Sequence, residues 1–170
     1  TEWLPISSTG HLILVNQMVQ LDASEQFINM FNVVIQLGAI MAVVVLYFGK
    51  LNPFARRKSN KQKMQTWQLW VKVIIACVPA AVIGIPLDDW MEEHLHNSPV
   101  VATTLIIYGI LFILVERANK KRTPAVTKLP QLTYRDALII GGWQVLALIP
   151  GTSRSGATIV GALLLGTSRY

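Results

Sequence analysis

Charged residues are scarce in this 170-residue chain, and cysteine is almost missing. Only 14% of the residues are charged, whereas soluble domains contain about 25%. The single cysteine, Cys77, lies within an apolar run, which excludes a disulfide framework and a metal site built from several cysteines. Hydrophobic residues make up 52% of the chain, and the mean hydropathy is +0.46. This composition favours a protein embedded in a membrane over a soluble domain.

Acidic residues are missing from the two stretches that contain most of the basic residues. The first basic block comprises Lys50, Arg56, Arg57, Lys58, Lys61 and Lys63, and the second comprises Arg117, Lys120, Lys121, Arg122, Lys128 and Arg135. An acidic cluster between the two blocks comprises Asp88, Asp89, Glu92 and Glu93. Nucleic-acid binding is one interpretation of this basicity, but cytoplasmic loops of a membrane protein are the better one, because such loops are rich in lysine and arginine. We therefore expect no nucleic-acid partner, with segments 49–66 and 116–136 cytoplasmic and segment 88–98 extracytoplasmic.

Three apolar segments are long enough to cross a membrane. Residues 27–48, 69–87 and 99–115 are almost uninterrupted apolar runs, and about 20 such residues in a helix span the hydrocarbon core. Two further apolar segments, 137–149 and 157–166, are too short to cross alone and flank a loop rich in glycine and serine. Such a pair is typical of a re-entrant or broken helix. The pattern predicts an all-α, polytopic membrane protein.

We interpret residues 1–170 as a single integral membrane domain. Its functional loops are residues 1–15 and 137–166, in which polar clusters lie within apolar surroundings. The chain starts at Thr1 rather than at a methionine, and it stops at Tyr170, shortly after an apolar segment. We therefore expect it to be a fragment of a longer protein.

The two functional loops contain similar polar motifs. Residues 2–11 read EWLPISSTGH, and residues 150–158 read PGTSRSGAT. Residues 7–10 align with residues 153–156 at an offset of 146 residues. With the orientation above, the first loop enters from the outside and the second is reached from the inside. The motifs therefore predict two re-entrant helix-loop-helix segments related as an inverted repeat, an arrangement that places a site near the midplane of the membrane.

Arg154 is the most informative residue of these motifs. An arginine at the centre of a membrane helix costs about 2.5–3.5 kcal/mol on insertion scales, so we expect it only where a function needs it. Helix capping explains the serines and glycines, but not Glu2, His11 or Arg154. Together a carboxylate, hydroxyls, an imidazole and a guanidinium are the groups that phosphoryl transfer uses. We expect the other hydroxyls and glycines to bind phosphate: Ser7, Thr9, Gly10, Gly151, Ser153, Ser155, Gly156 and Thr158.

A transporter or flippase of an anionic lipid is the alternative function. Inverted repeats with broken helices are the usual architecture of transporters. Such a protein needs Arg154 to bind its anionic substrate. It has no need of Ser8 with His11 three residues away, so this pair favours an enzyme.

Both motifs resemble the two signature motifs of the bacterial undecaprenyl-diphosphate phosphatase family, also called the bacitracin-resistance protein family. They occur in the expected order and at about the expected separation, and residues 31–38 and 133–137 are also similar to family segments. The resemblance implies a multi-pass enzyme of the bacterial plasma membrane. It implies that this enzyme hydrolyses undecaprenyl diphosphate to inorganic phosphate and undecaprenyl phosphate, the lipid carrier for cell-wall synthesis.

The resemblance also implies site residues, by matching positions. The family's catalytic carboxylate, serine and histidine correspond to Glu2, Ser8 and His11. We expect Arg154 to clamp the phosphates, Ser8 to act as nucleophile and His11 as base, with direct attack by water as the open alternative. The resemblance further implies a divalent cation, Mg²⁺ or Ca²⁺, and Glu2 either binds it or shuttles a proton. The repeat offset places Gln144 where the family's first motif has a further glutamate, and a homodimer is left open.

Overall fold

Six α-helices make up most of the described chain. The computed structural model describes residues 5–19, 24–95, 97–120 and 122–168. Its helices are α1 (Ser8–Met18), α2 (Glu25–Leu51), α3 (Asn60–Leu95), α4 (Ser98–Asn119), α5 (Tyr134–Gln144) and α6 (Arg154–Leu164). Two short 3₁₀ helices, Leu129–Gln131 and Val145–Leu148, lie before and after α5. Within these ranges the only β-type pairing is an isolated bridge between Val126 and Thr167, so the predicted all-α class is confirmed.

Three of these helices are long and apolar enough to cross a membrane. Their apolar parts are Gln26–Leu51 of α2, Asn60–Leu87 of α3 and all of α4, and they contain the three apolar segments that the sequence indicated. In the most apolar window of α2, none of the residues is buried inside the protein. Soluble proteins rarely expose so large a continuous apolar surface. The protein is therefore a membrane protein.

α3 is longer than the predicted span of residues 69–87. It begins at Asn60, within the basic segment, and it continues through the acidic cluster to Leu95. Our expectation of loops at residues 60–66 and 88–95 was therefore wrong. Lysine, glutamine and glutamate are good helix formers in water, so a helix does not end where its apolar run ends. Hydropathy locates the apolar part of a helix but does not determine the residues at which the helix begins and ends.

α5 and α6 are short helices that pack against the long ones. Each has 11 residues, which corresponds to about 16 Å at 1.5 Å per residue and is too short to cross a membrane alone. Gly141 of α5 lies against the backbone of α3, where a methyl group on it would come within 2.8 Å of the Ala76 Cα atom. Val160 of α6 packs against Val115 of α4 in the buried core. These contacts hold the start of α6 in place, and the second polar motif lies there.

Candidate active site

α1 and α6 begin with the same serine cap. The Ser7 hydroxyl accepts a hydrogen bond from the Gly10 N–H at 3.1 Å, and the Ser153 hydroxyl accepts one from the Gly156 N–H at 3.2 Å. Both serines are buried and have an extended backbone. A serine at this position provides a partner for an N–H group that has none within the helix. The two motifs therefore share one local structure at the start of a helix.

The two caps lie next to each other in space. A methyl group on Gly10 would be 3.2 Å from the Cα atom of Gly151, in the loop before α6. A methyl group on Gly156 would be 3.4 Å from the Pro5 carbonyl oxygen, in the segment before α1. Both approaches depend on the missing side chain of glycine. The structure thus brings together two motifs that lie 146 residues apart in the sequence.

α4 holds the loop that precedes α6. The Thr104 hydroxyl donates a hydrogen bond of 2.7 Å to the Pro150 carbonyl oxygen. Gly151 follows with a φ of 91°, in the left-handed region that side chains other than glycine rarely adopt. A methyl group on it would overlap the Thr104 hydroxyl and would lie 2.8 Å from the Val101 carbonyl oxygen. Gly151, which we predicted to bind phosphate, therefore shapes the backbone of the loop.

A cavity of about 490 Å³ lies between the two motifs and α2. The residues that line it are Ile6, Ser7, Ser8, Gln36, Ile40, Gln144, Ala147, Thr152, Ser153, Arg154, Ser155 and Thr158. Six of these side chains carry hydroxyl groups, two carry amides, and Arg154 alone carries a charge. Small-molecule sites are usually cavities of about 300–1,000 Å³. The lining is chemically suited to an anion with many oxygen atoms.

Arg154 occupies the first position of α6. Its side chain is exposed, and no carboxylate among the described residues lies within ion-pair distance of it. The first turn of an α-helix also presents N–H groups and a partial positive charge, both of which favour anions. The guanidinium and the helix start therefore act together on the same side of the cavity.

Ser8 and His11 have different relationships to the cavity. Ser8 lines it, whereas His11 is exposed and is not among the lining residues. The His11 Nδ1 atom lies 2.6 Å from the Ser7 carbonyl oxygen. Because a carbonyl oxygen can only accept, Nδ1 carries the proton in this contact, which leaves Nε2 with its lone pair. Nε2 is thus the His11 atom that is available as a base.

Among the described residues, the cavity offers oxygen atoms as its ligands for a metal ion. Hydroxyls and the amides of Gln36 and Gln144 line it, and oxygen ligands suit Mg²⁺ and Ca²⁺. Glu2 and the Thr9 side chain, which we predicted for this site, lie outside the part of the chain that the structure describes. Within that part, no group of three or more His, Cys, Asp or Glu side chains is placed to hold a metal ion. The described lining residues supply neutral ligands.

Gln36 is a site residue that sequence reasoning missed. It lies in the middle of the α2 span and lines the cavity opposite the two motifs. A signal was present, because Asn32 and Gln36 are four residues apart and therefore share one helix face. A polar face on a membrane-spanning helix usually points to the protein interior or to a cavity. Thr152 lines the cavity too, although only its neighbours were predicted.

Comparison with known proteins gives one consistent answer. A family model described as bacitracin resistance protein BacA matches residues 1–170. Proteins named undecaprenyl-diphosphatase from Enterococcus faecalis and Lactiplantibacillus plantarum are 61% and 62% identical over the whole of this chain, which covers 62% of each relative. A protein of the same name from Streptococcus thermophilus is 59% identical over 99% of this chain and 59% of its own length. The chain thus spans about three fifths of the length of the curated relatives it matches, and it belongs to the bacitracin resistance protein family.

Proposed function

We propose that this protein is a membrane phosphatase that hydrolyses undecaprenyl diphosphate to undecaprenyl phosphate and inorganic phosphate. The observation that carries the proposal is the cavity between the two motifs, where the described lining residues comprise Arg154 as the one charged residue and six with hydroxyl groups. A diphosphate needs such an environment of hydrogen-bond donors and positive charge. The name of the relatives, which share between 59% and 62% identity with this chain, supports the same substrate.

Arg154 binds the diphosphate in this mechanism. A guanidinium forms two parallel hydrogen bonds to phosphate oxygens, and the start of α6 adds its partial positive charge beside them. During phosphoryl transfer negative charge spreads over the oxygens around the terminal phosphorus atom. Donors that are already in place stabilise this charge without reorganisation. The fixed caps of α1 and α6 supply this rigidity.

Two routes for the attack fit the position of Ser8. In the first, the Ser8 Oγ atom bonds to the terminal phosphorus, the bond to the bridging oxygen breaks, and undecaprenyl phosphate leaves; water then hydrolyses the phosphoserine. In the second, water attacks directly and Ser8 orients the phosphate. The Nε2 atom of His11 accepts the proton of the attacking group. Because His11 does not line the cavity, it acts through one water molecule, a distance over which general bases still work.

A divalent cation belongs to this proposal. The amides of Gln36 and Gln144 line the cavity, and these oxygen atoms, with a carboxylate such as that of Glu2, would suit Mg²⁺ or Ca²⁺. When bound, the cation neutralises charge on the diphosphate. We further propose that the protein lies in the bacterial plasma membrane. The formation of a homodimer is a prediction.

An inverted repeat of two re-entrant segments is the architecture that we propose around the site. Its support is local: Ser7 and Ser153 form the same cap, and the two caps are in contact. The short helices α5 and α6 on either side of a loop are consistent with a segment that enters the membrane and returns. The same architecture favours the alternative function, an anionic-lipid transporter.

Phosphate release distinguishes the two functions. The full-length protein in detergent is given a prenyl diphosphate, with a prenyl monophosphate as the matched control, in the presence and absence of a chelator. We expect release from the diphosphate alone, and loss of release with the chelator. A protein that binds the diphosphate but releases no phosphate with Mg²⁺ or Ca²⁺ present would be a transporter or carrier. Release that a chelator does not affect would remove the cation from the proposal.

A further inference from the structure

A second cavity, of about 430 Å³, lies where α2 ends and α3 begins. Four basic residues line it: Lys50, Arg57, Lys58 and Lys72. Polar side chains of α3 and the turn around Leu129 complete the wall, and the described part of the chain contributes no acidic residue to it. The two cavities share no lining residue. This cavity is therefore a separate basic pocket.

Lys72 is the most unusual residue of the basic pocket. It belongs to the apolar span of α3, and its side chain is only 7% exposed. The described residues place no carboxylate within ion-pair distance of it. Its ammonium lies 5.8 Å from the centre of the Tyr134 ring, a contact that offsets part of the loss of water around a buried charge. A buried charge without an ionic partner indicates that an anion belongs beside it.

Asp136 does not take this role. Its Oδ2 atom accepts hydrogen bonds from the Thr133 N–H at 2.8 Å and from the Thr133 hydroxyl at 2.7 Å. The backbone hydrogen bond and then the hydroxyl hold the pKa of Asp136 below its ordinary value, and the charges of Arg135 and Lys72 add to this. The carboxylate is thus committed to capping α5. It influences Lys72 through space without forming an ion pair with it.

Lys58 lines the basic pocket, but all three protons of its ammonium group are engaged in hydrogen bonds within the protein. Its ammonium donates to the carbonyl oxygens of Lys50 and Asn52 at 2.7 and 2.9 Å, and to the Thr66 hydroxyl at 2.9 Å. Three acceptors match the three protons of an ammonium, and two of them lie at the C-terminal end of α2, where cations are favourable. Among the lining cations, Lys50, Arg57 and the buried Lys72 therefore remain for a ligand.

Aromatic side chains place the basic pocket at the membrane surface. Phe54 and Trp67 are exposed and form an edge-to-face pair 5.8 Å apart. Exposed Trp70 donates from its Nε1 atom to the Leu51 carbonyl oxygen at 2.9 Å. Tryptophan at the end of a membrane span is typical of the headgroup region. A phosphate at this depth would leave acyl chains free to lie along the exposed apolar faces of α2 and α3.

We propose that the basic pocket binds the phosphate group of an anionic glycerophospholipid, between Lys72 and Arg57. Basic pockets between membrane helices recognise such headgroups, chiefly on the cytoplasmic side. The site is independent of the phosphatase activity, because none of its residues contacts the first cavity. The bound lipid anchors the end of α2 and the start of α3 in one leaflet of the membrane.

Lipid binding is measured by native mass spectrometry on the full-length, delipidated protein in detergent. The ligands are phosphatidylglycerol, phosphatidylcholine, a prenyl monophosphate and inorganic phosphate. We expect one phosphatidylglycerol molecule to bind at least about fivefold more strongly than phosphatidylcholine. Equal binding of the two phospholipids, preferential binding of the prenyl monophosphate, or displacement of phosphatidylglycerol by an equal concentration of inorganic phosphate would each overturn the assignment.

Variants locate the site. Lys72→Met removes the charge and keeps the length of the side chain, and we expect it to reduce phosphatidylglycerol binding by at least about fivefold. Lys61→Gln changes an exposed lysine of the same segment that does not line the pocket, and it should bind as the unchanged protein does. Phosphate release in detergent reports whether each variant is folded. Should Lys72→Met fail to fold, the exposed Arg57→Gln gives the same test, and unchanged lipid binding by it would overturn the proposal.

Discussion

The α-carbon of Gly151 lies 3.2 Å from where the first side-chain atom of Gly10 would be. This contact joins the start of α1 to the loop before α6. A further hydrogen bond fixes each backbone. The Gly10 N–H donates to the Ser7 hydroxyl, and the Thr104 hydroxyl donates to the Pro150 carbonyl oxygen. The contact thus positions the backbone beside Ser7 and Thr152, which line the cavity that contains Arg154, and catalysis by preorganised groups depends on such positioning.

Gly151→Ala tests whether the loop before α6 needs glycine at this position. The substitution forces a side chain into the left-handed region and against Thr104, so we expect the free energy of unfolding to fall by about 1–3 kcal/mol, with a loss of phosphate release. The control is Gly142→Ala in α5, where nothing lies within 4 Å of the added methyl group. Thermal unfolding in detergent measures both. Equal stability of the two variants would show that the loop does not need glycine.

Arg154→Lys tests the bidentate grip. Lysine keeps the charge but loses the planar pair of donors. We expect kcat/KM to fall at least about tenfold, which corresponds to about 1.4 kcal/mol of transition-state stabilisation. Arg56→Lys is the matched control, because Arg56 is exposed and lines neither cavity. Near-normal turnover by Arg154→Lys would mean that a point charge is sufficient.

Ser8→Ala, His11→Ala and the double variant test whether these residues act as a unit. Each single substitution should remove most of the phosphate release, and the double variant should be little worse, because the members of a catalytic unit are strongly non-additive. Binding of prenyl diphosphate should persist, since Arg154 is unchanged. His94→Ala, at the exposed end of α3, is the control for loss of an imidazole. Full activity of both single variants would contradict the catalytic assignment of Ser8 and His11 and would favour the transporter function.

Labelling with a membrane-impermeant thiol reagent tests the orientation. In a Cys77→Ser background we expect Asp89→Cys to be labelled from outside intact cells and Ser59→Cys to remain unlabelled. Both positions are exposed, at opposite ends of the α3 span, so local burial does not protect either. The expectation rests on the basic blocks, which favour the cytoplasmic side. Labelling of Ser59→Cys alone would reverse the topology.

The sequence by itself determined the apolar parts of the three long helices, although not where α3 begins and ends. The apolar segments of α2, α3 and α4 leave no other economical way to satisfy the backbone in a membrane than a helix. Ser7 and Ser153 each stand shortly before an apolar run, and serine is a favoured residue at the start of a helix. The likeness of the two motifs is equally visible in the sequence, because a cap depends on residues close along the chain.

Only the tertiary structure decided which side chains share a cavity. Gln36 lines it, whereas His11 does not, although Ser8 and His11, three residues apart, were predicted to act as one catalytic pair. The rotation of a helix about its axis is set by contacts with its neighbours, such as Gly10 against Gly151 and Gly141 against Ala76. These pairs are distant in the sequence. Their contact depends on the shapes of packed surfaces, and local patterns contain no information about them.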